Sequence, residues 1–277
     1  MSISSLSLDR EDLKNFCDIL QERADTAAEI EVNIYQQGGL SEEQFEADKS
    51  TLKESFKLKI AVTGIGGDEH WGAIEEVFNS VNFPEQVKSL YVDSESTLRY
   101  VHDYRPHNSF KIFLDFSKPK IFDLSLLPNV STPNGSNIQV EGYDATWVNG
   151  VFSELKSYVD SRSSTLSKFH NHSVYDILLV VLGVPLSFWM CSKFSSAIDN
   201  SFGDGNELIV TALYLYTFIG TLFIFRILFH YLRWVCPLVE YKNKINKMLI
   251  HRGIFGSLAI GWIGKFMYDM ATGVVWG

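Results

Sequence analysis

The sequence predicts an α+β fold that begins with a helical hairpin and a mostly antiparallel sheet, closed by a C-terminal helix. A two-span transmembrane helical hairpin and a C-terminal interfacial helix are predicted to follow. Three observations support this prediction. Residues 1–170 include 27 acidic and 16 basic residues, whereas residues 171–277 include only 6 acidic and 8 basic residues. Alternation with a period of two is confined to the middle of the first part, and helical patterns lie on either side of it. Long uncharged stretches occur in the second part, as in membrane spans.

Two helices are predicted for residues 1–55. Asp9 precedes an apolar stripe with helical spacing, so we assign it as the N-cap of the first helix. Ser41 and Gln44 have the spacing of a capping box, which predicts the start of a second helix. Because Gly38-Gly39 separates the two, we expect a helical hairpin, and we interpret its acidic outer face as solvated.

Residues 56–165 are predicted to form a cytosolic α+β domain. Apolar residues alternate from Phe56, and Gly64–Gly67 then predicts a tight hairpin turn. Asp144 can cap a last helix, whose apolar face extends to Val159. The candidate strands are Phe56–Val62, Trp71–Phe78, Gln86–Val92, Phe110–Phe116, Lys120–Leu124 and Ile138–Glu141.

Two membrane spans are predicted, over residues 174–194 and 208–232. The first is long enough only if Asp176 and Lys193 reach the polar interface. The second contains an uncharged run from Leu208 to Phe225. Basic residues flank the hairpin and its connector is acidic, which predicts that both ends of the hairpin are cytosolic. No signal-peptide pattern opens the chain. We therefore expect a multi-pass protein of the cell (inner) membrane with a cytosolic N-terminus.

Residues 254–277 are predicted to form an interfacial or re-entrant helix. Lys265 and Asp269 interrupt the apolar pattern, and their spacing of four residues allows an ion pair. Ser257 and Gly261 form a small-xxx-small pair suited to close helix contact. A third full span is the alternative, and it would place the C-terminus outside the cell.

One group of polar residues is singled out by its position. Arg226, His230 and Arg233 lie at i, i+4 and i+7, on one face of the second predicted span. We interpret them as a basic membrane edge that attracts anionic lipids; for Arg226, the vestibule of an oligomeric pore is the alternative. Asp176 enters the first span from the same side, so an intramembrane Asp176–Arg226 pair is a hypothesis.

Known catalytic and metal patterns are not found in the sequence. Gly66-Gly67-Asp68-Glu69-His70 resembles the GGDEF signature of diguanylate cyclases, but that family's upstream metal and nucleotide contacts have no counterpart in residues 50–64. We therefore assign the chain to no family. The histidines around 102–107 and 170–172 are too few for a metal site, which normally has three or four ligands. We expect no catalytic residue, metal or cofactor.

These features favour a membrane-anchored, non-enzymatic sensor or effector. Its cytosolic domain would bind a ligand or partner and couple to a transmembrane hairpin that forms a homo-oligomer, with a pore as one form of that assembly. The alternative is a membrane-tethered enzyme with an unrecognised site around Trp71, Asp103, Arg105 and His107. The expected partners are a bilayer with an anionic inner leaflet, further copies of the chain, and an unknown cytosolic partner or small ligand. Nucleic acid is not expected, because the first part is acidic.

Overall fold

The computed structural model describes residues 1–119, 134–164, 170, 172–202, 207–243 and 247–276. The chain divides into two compact units. The first takes in Met1–Ser117, Asn134–Thr165 and Leu238–Lys244, and the second contains Leu166–Pro237 and Ile245–Gly277. The expected mixture of helix and sheet with two long apolar helices is confirmed. The candidate strand Lys120–Leu124 lies outside the described residues.

The first unit is built from seven strands and five helices within the described residues. Its strands are β1 (Leu6–Leu8), β2 (Lys59–Gly64), β3 (Glu69–Ala73), β4 (Val87–Asp93), β5 (Asn108–Asp115), β6 (Asn137–Gly142) and β7 (Val239–Tyr241). Its helices are α1 (Arg10–Ile34), α2 (Glu42–Ser55), α3 (Ile74–Asn79), α4 (Ser96–His102) and α5 (Ala145–Ser161).

Helices α1, α2 and α5 begin at the residues that the capping patterns predict. Asp9 accepts a hydrogen bond from the backbone of Asp12, and Ser41 and Gln44 form the predicted capping box. Asp144 likewise caps α5. These side chains satisfy amide groups that have no partner in the first helical turn.

A five-stranded sheet has the order β3-β2-β4-β5-β6, and all of its pairings are antiparallel. The predicted hairpin turn joins β2 to β3: the Gly64 amide donates to the Asp68 carbonyl at 2.8 Å. Gly67 in this turn has a φ of +90°, a conformation that favours glycine. Alternating residues of β2, including Ile60 and Val62, are completely buried.

Two predicted strands differ from the observed elements by three or more residues at one end. Strand β2 begins at Lys59 rather than Phe56, because Phe56 caps the C-terminus of α2. The predicted strand Trp71–Phe78 is wrong beyond Ala73, where α3 begins. The buried residues of α3 are Ile74, Val77 and Phe78, at spacings of three and four, which is the helical period. In so short a segment this pattern also fits a buried strand.

The sequence did not predict the parallel pair formed by β1 and β7. Leu6 is in register with Val239, and Leu8 with Tyr241. Backbone hydrogen bonds join the two segments, among them one of 2.7 Å from the Lys242 amide to the Leu8 carbonyl. Strands of three residues are too short for an alternation pattern to identify them.

Both strands of this pair contribute to the main hydrophobic core. Leu6 is 1% exposed, and Leu8 and Val239 are 0% exposed. All three belong to the same buried cluster as the sheet, α1 and α5. The chain segment that follows α8 is therefore a structural part of the first unit.

The second unit is helical in its described residues. Helix α6 (His172–Leu178) continues through a π-helical turn (Leu179–Gly183) into α7 (Val184–Phe202), and α8 (Glu207–Val235) and α9 (Lys247–Trp276) follow. Among the described residues, two stretches are long and apolar enough to cross a membrane, Val174–Phe202 and Glu207–Val235. Only 17% and 6% of their most apolar windows are buried, so they differ from the core helices of a soluble protein.

The two apolar stretches, Val174–Phe202 and Glu207–Val235, are longer than the predicted spans, and they form an antiparallel hairpin. At 1.5 Å per residue, 29 helical residues extend about 43 Å, compared with a hydrocarbon core of about 30 Å. The ring of Phe225 packs close to Gly183, and the Tyr214 hydroxyl donates to Asp199 at 3.2 Å. Because the residue number of one partner rises as that of the other falls, the two helices run in opposite directions.

Helix α9 is a single helix of 30 residues. The predicted ion pair between Lys265 and Asp269 is confirmed, with an N–O distance of 3.5 Å. Its placement at the membrane interface stays a prediction.

Removing two methyl groups from Val239 tests whether β7 belongs to the core. We expect Val239→Ala to lower the free energy of unfolding of the first unit by about 2 kcal/mol, through lost burial and the cavity left behind. Thermal unfolding of the full chain in detergent, followed by circular dichroism, measures this effect. Val81→Ala is the matched control, because Val81 is fully exposed; equal effects of the two changes would contradict the assignment of β7 to the core.

Candidate functional site

The predicted basic face lies at the C-terminal end of α8, and its side chains are buried. Arg226, His230 and Arg233 are 9%, 8% and 4% exposed. The Arg233 guanidinium lies 4.9 Å from the centre of the Phe229 ring, and Tyr175 packs edge-on against the same ring at 4.8 Å. Each of the three basic residues takes part in further interactions, as buried charged groups require.

Asp176, the proposed partner of Arg226, is partly buried on α6. Within the described ranges, no ion pair joins these two residues at the 4.0 Å limit. The intramembrane pair therefore stays a prediction, and the assembly experiment below tests it.

The carbonyl groups at the end of α8 are bound by side chains of the second unit. The Arg252 guanidinium donates to the Val235 carbonyl at 3.1 and 3.2 Å. The His170 ring nitrogen donates to the Cys236 carbonyl. Burial lowers the pKa of His170 more than this hydrogen bond raises it. These contacts cap carbonyl groups that have no partner within the helix. Only three residues separate the end of α8 from the start of β7.

A polar cleft of about 360 Å³ lies in the first unit, beside the ends of β5 and β6. It contains Arg105 and His107 from the alternative enzymatic site. Trp71 is not near them, because β3 is the opposite edge strand of the sheet, and Asp103 is not among the lining residues. The cleft is lined by Glu95, Arg105, Pro106, His107, Ser109, Glu141, Gly142 and Tyr143.

A buried carboxylate holds the chain segment that forms one wall of the cleft. Glu31 of α1 is 1% exposed and accepts hydrogen bonds from the Tyr104 hydroxyl and the His107 amide, the latter at 3.0 Å. The His107 Nδ1 atom lies 2.6 Å from Glu31. Since an ionised carboxylate only accepts, Nδ1 must carry the hydrogen. This leaves Nε2 as the free nitrogen of a half-exposed ring.

A second carboxylate, Glu95, is neutralised within the wall of the cleft. It accepts hydrogen bonds from Ser109 and from Lys111, both at 3.1 Å, and Arg99 lies 3.8 Å away. Burial by itself raises the Glu95 pKa, but the hydrogen bonds and the nearby positive charges outweigh burial and lower it. Glu95 is therefore an ionised structural group.

Sequence reasoning missed Glu31, although a signal for it was present. Glu31 lies three and four residues after Ala28 and Ala27 and so continues the buried stripe of α1. An acidic residue in phase with an apolar stripe indicates a buried charge with dedicated partners. No comparable pattern pointed to Glu95, Glu141 and Tyr143, because Glu95 is distant from the other two in the sequence and joins them only in the folded chain.

Comparisons with other proteins do not identify a family. Neither the protein-family models, nor the curated proteins, nor the solved structures contain a match to this chain. In the part of the chain that the structure describes, no group of three or more histidine, cysteine or acidic residues could hold a metal ion. The function is therefore inferred from the geometry alone.

Replacing Glu31 tests its role as the anchor of the cleft. We expect Glu31→Ala to destabilise the first unit by about 3 kcal/mol, because three donors lose a buried, charged acceptor. Glu29→Ala on the exposed side of the same helix should change stability by less than about 0.5 kcal/mol. Chemical denaturation of both variants measures the difference, and similar stabilities would show that Glu31 is not an anchor.

The lowered pKa of Glu95 predicts an acid-sensitive cleft. A carboxylate with a lowered folded-state pKa stabilises the fold fully above its unfolded pKa of about 4.5, and this contribution is lost as the pH falls through the folded-state pKa. Melting temperatures measured from pH 7 downward should therefore fall less steeply for Glu95→Gln than for the wild type. Parallel curves would contradict this role of Glu95.

Proposed function

We propose that the protein is a membrane-anchored sensor or effector whose first unit binds a ligand and transmits its state to a transmembrane hairpin. The observation that carries this proposal is the position of β7. The chain leaves the first unit before α6 and contributes to that unit's core again three residues after α8. A simple membrane tether needs only one connection, whereas here both ends of the hairpin are connected to one folded unit.

This arrangement supports coupling through the backbone. The segment after α8 is bound on its helical side by Arg252 and His170 and on its strand side by hydrogen bonds to β1. A displacement of α8 along its axis would strain or break some of these bonds. Ligand binding that shifts the core and a movement of the hairpin can therefore bias each other, which is the requirement for coupling between two sites.

We place the two apolar helices in the cell (inner) membrane with the first unit in the cytosol. The acidic connector between the spans and the basic residues after α8 support this orientation. With α9 at the interface, its Lys265–Asp269 pair can lie at the level of the lipid headgroups.

The hairpin is proposed to form homo-oligomers, with a membrane-permeabilising pore as one form of that assembly. Asp176 lies in the first span, and an ionisable residue in such a position usually faces the interior of a bundle or a partner helix. A contact with Arg226 of a neighbouring copy would compensate the charge of Asp176 within an assembly. Two outward-facing apolar helices per chain supply the surface for it.

A second candidate function is enzymatic, and the Glu31–His107 contact is the observation that favours it. A carboxylate that orients an imidazole through Nδ1 leaves Nε2 available as a general base. Such a site would turn over its ligand, whereas a sensor would release it unchanged. Mass spectrometry of a bound ligand before and after incubation separates these outcomes.

The experiment that tests the proposed function measures assembly and leakage together. Purified full-length protein is reconstituted into vesicles containing anionic phospholipid and a self-quenched dye, and its mass in detergent is measured by light scattering. We expect a defined oligomer and dye release that increases with protein concentration. A monomer without dye release would contradict the effector proposal and leave a tethered binding protein.

Charge exchange between the two spans provides the specific control. Asp176→Arg and Arg226→Asp should each reduce oligomer formation and dye release, and the double exchange should restore both. Asp48→Arg makes the same substitution at an exposed position of α2 and should have no effect. Failure of the double exchange to restore assembly would remove the Asp176–Arg226 pair from the proposal.

A further inference from the structure

We infer that the polar cleft of the first unit binds a zwitterionic small molecule, specifically an α-amino acid. This inference rests on the proposed function, since it names the ligand that the first unit would detect. The rigidity, the charges and the shape of the cleft each support it.

The cleft has a rigid wall. Its segment from Tyr104 to His107 is bound to the buried Glu31 by the hydrogen bonds described above. The Tyr143 amide also donates to the His107 carbonyl at 3.1 Å, which joins the segments on the two sides of the cleft. A preformed cleft binds a small ligand without the loss of conformational entropy that ordering its own loops would require.

The charges of the cleft are compensated unequally. Glu95 forms ion pairs with Lys111 at 3.1 Å and with Arg99 at 3.8 Å, and the more distant positive charge of Arg105 also helps to lower its pKa. Arg105 and Glu141 are both exposed cleft residues. Over the described ranges, neither forms an ion pair within 4.0 Å, with each other or with any other residue. Glu141 accepts a hydrogen bond from the neutral side chain of Gln139.

Arg105 and Glu141 carry opposite charges and form no ion pair within the described ranges, so together they fit a ligand that carries both charges. The Arg105 guanidinium can donate two parallel hydrogen bonds to a carboxylate. Glu141 can accept hydrogen bonds from an ammonium group. A simple anion would satisfy Arg105 but would be repelled by Glu141, and a simple cation would meet the reverse problem.

The remaining surface of the cleft suits an amino-acid side chain. The ring of Tyr143 is 88% exposed and lies edge-on to the His107 ring, with 5.5 Å between the ring centres. Such a pair offers an apolar face next to polar groups. A cavity of about 360 Å³ lies at the small end of the range for ligand sites, which agrees with a molecule of this size.

Isothermal titration calorimetry of the full-length protein in detergent, with individual common α-amino acids as probes, tests this inference. We expect at least one amino acid to bind. Its carboxamide and its N-acetyl derivative, each lacking one charge, should bind about tenfold or more weakly. Inorganic phosphate and ATP serve as probes for a site that recognises anions only.

Variants of the cleft test whether Arg105 and Glu141 bind the two charged groups of the ligand. Arg105→Gln and Glu141→Gln should each weaken binding about tenfold or more. Lys57→Gln and Glu43→Gln remove charges at exposed positions outside the cleft and should leave it unchanged. The exchange of both charges, R105E with E141R, should recover part of the affinity lost by either single exchange.

Two results would overturn the inference. The first is the absence of binding by every amino acid tested with folded protein. The second is binding of ATP or phosphate that Arg105→Gln abolishes and Glu141→Gln strengthens, which would identify an anion site. Failure of the proposed function gives a different result. Amino-acid binding without oligomers or dye release would support the cleft inference and contradict the effector proposal. Dye release without amino-acid binding would support the effector proposal and contradict the cleft inference.

Discussion

The parallel pairing of β1 with β7 is the interaction on which the rest of this structure depends. It places the first residues after α8 in the hydrophobic core of the first unit, where Leu6, Leu8 and Val239 are at most 1% exposed. Without it, the apolar helices would be an appendage joined to the first unit by a single connection. With it, the chain is connected to the first unit both before and after the two apolar helices, which is the connection that the proposed coupling requires.

Charge has opposite roles in the two units. In the first unit, two buried carboxylates organise a cleft: Glu31 orders one of its walls, and Glu95 is neutralised by neighbouring cations. In the second unit, three basic residues are buried at the end of α8 instead of facing outward. Burying these charges is unfavourable unless other groups compensate them. The contacts with the compensating groups hold the charged side chains in defined positions.

Features encoded by neighbouring residues could be predicted from the sequence. The caps at Asp9, Ser41 and Asp144, the hairpin turn at Gly64–Gly67 and the two apolar helices all follow from local patterns, and the structure contains them. The parallel β1–β7 pair joins segments more than 230 residues apart, and the cleft collects residues from β5, β6 and three connecting segments. Local patterns carry no information about such contacts.

Hydrogen–deuterium exchange of the full-length protein in lipid nanodiscs tests the central claim most directly. The amides of Val239–Lys242 should exchange as slowly as those of β4, because both segments are part of one cooperatively folded core. Exchange of Val239–Lys242 within seconds, while β4 remains protected, would show that the segment after α8 is outside the core and would contradict coupling through the backbone.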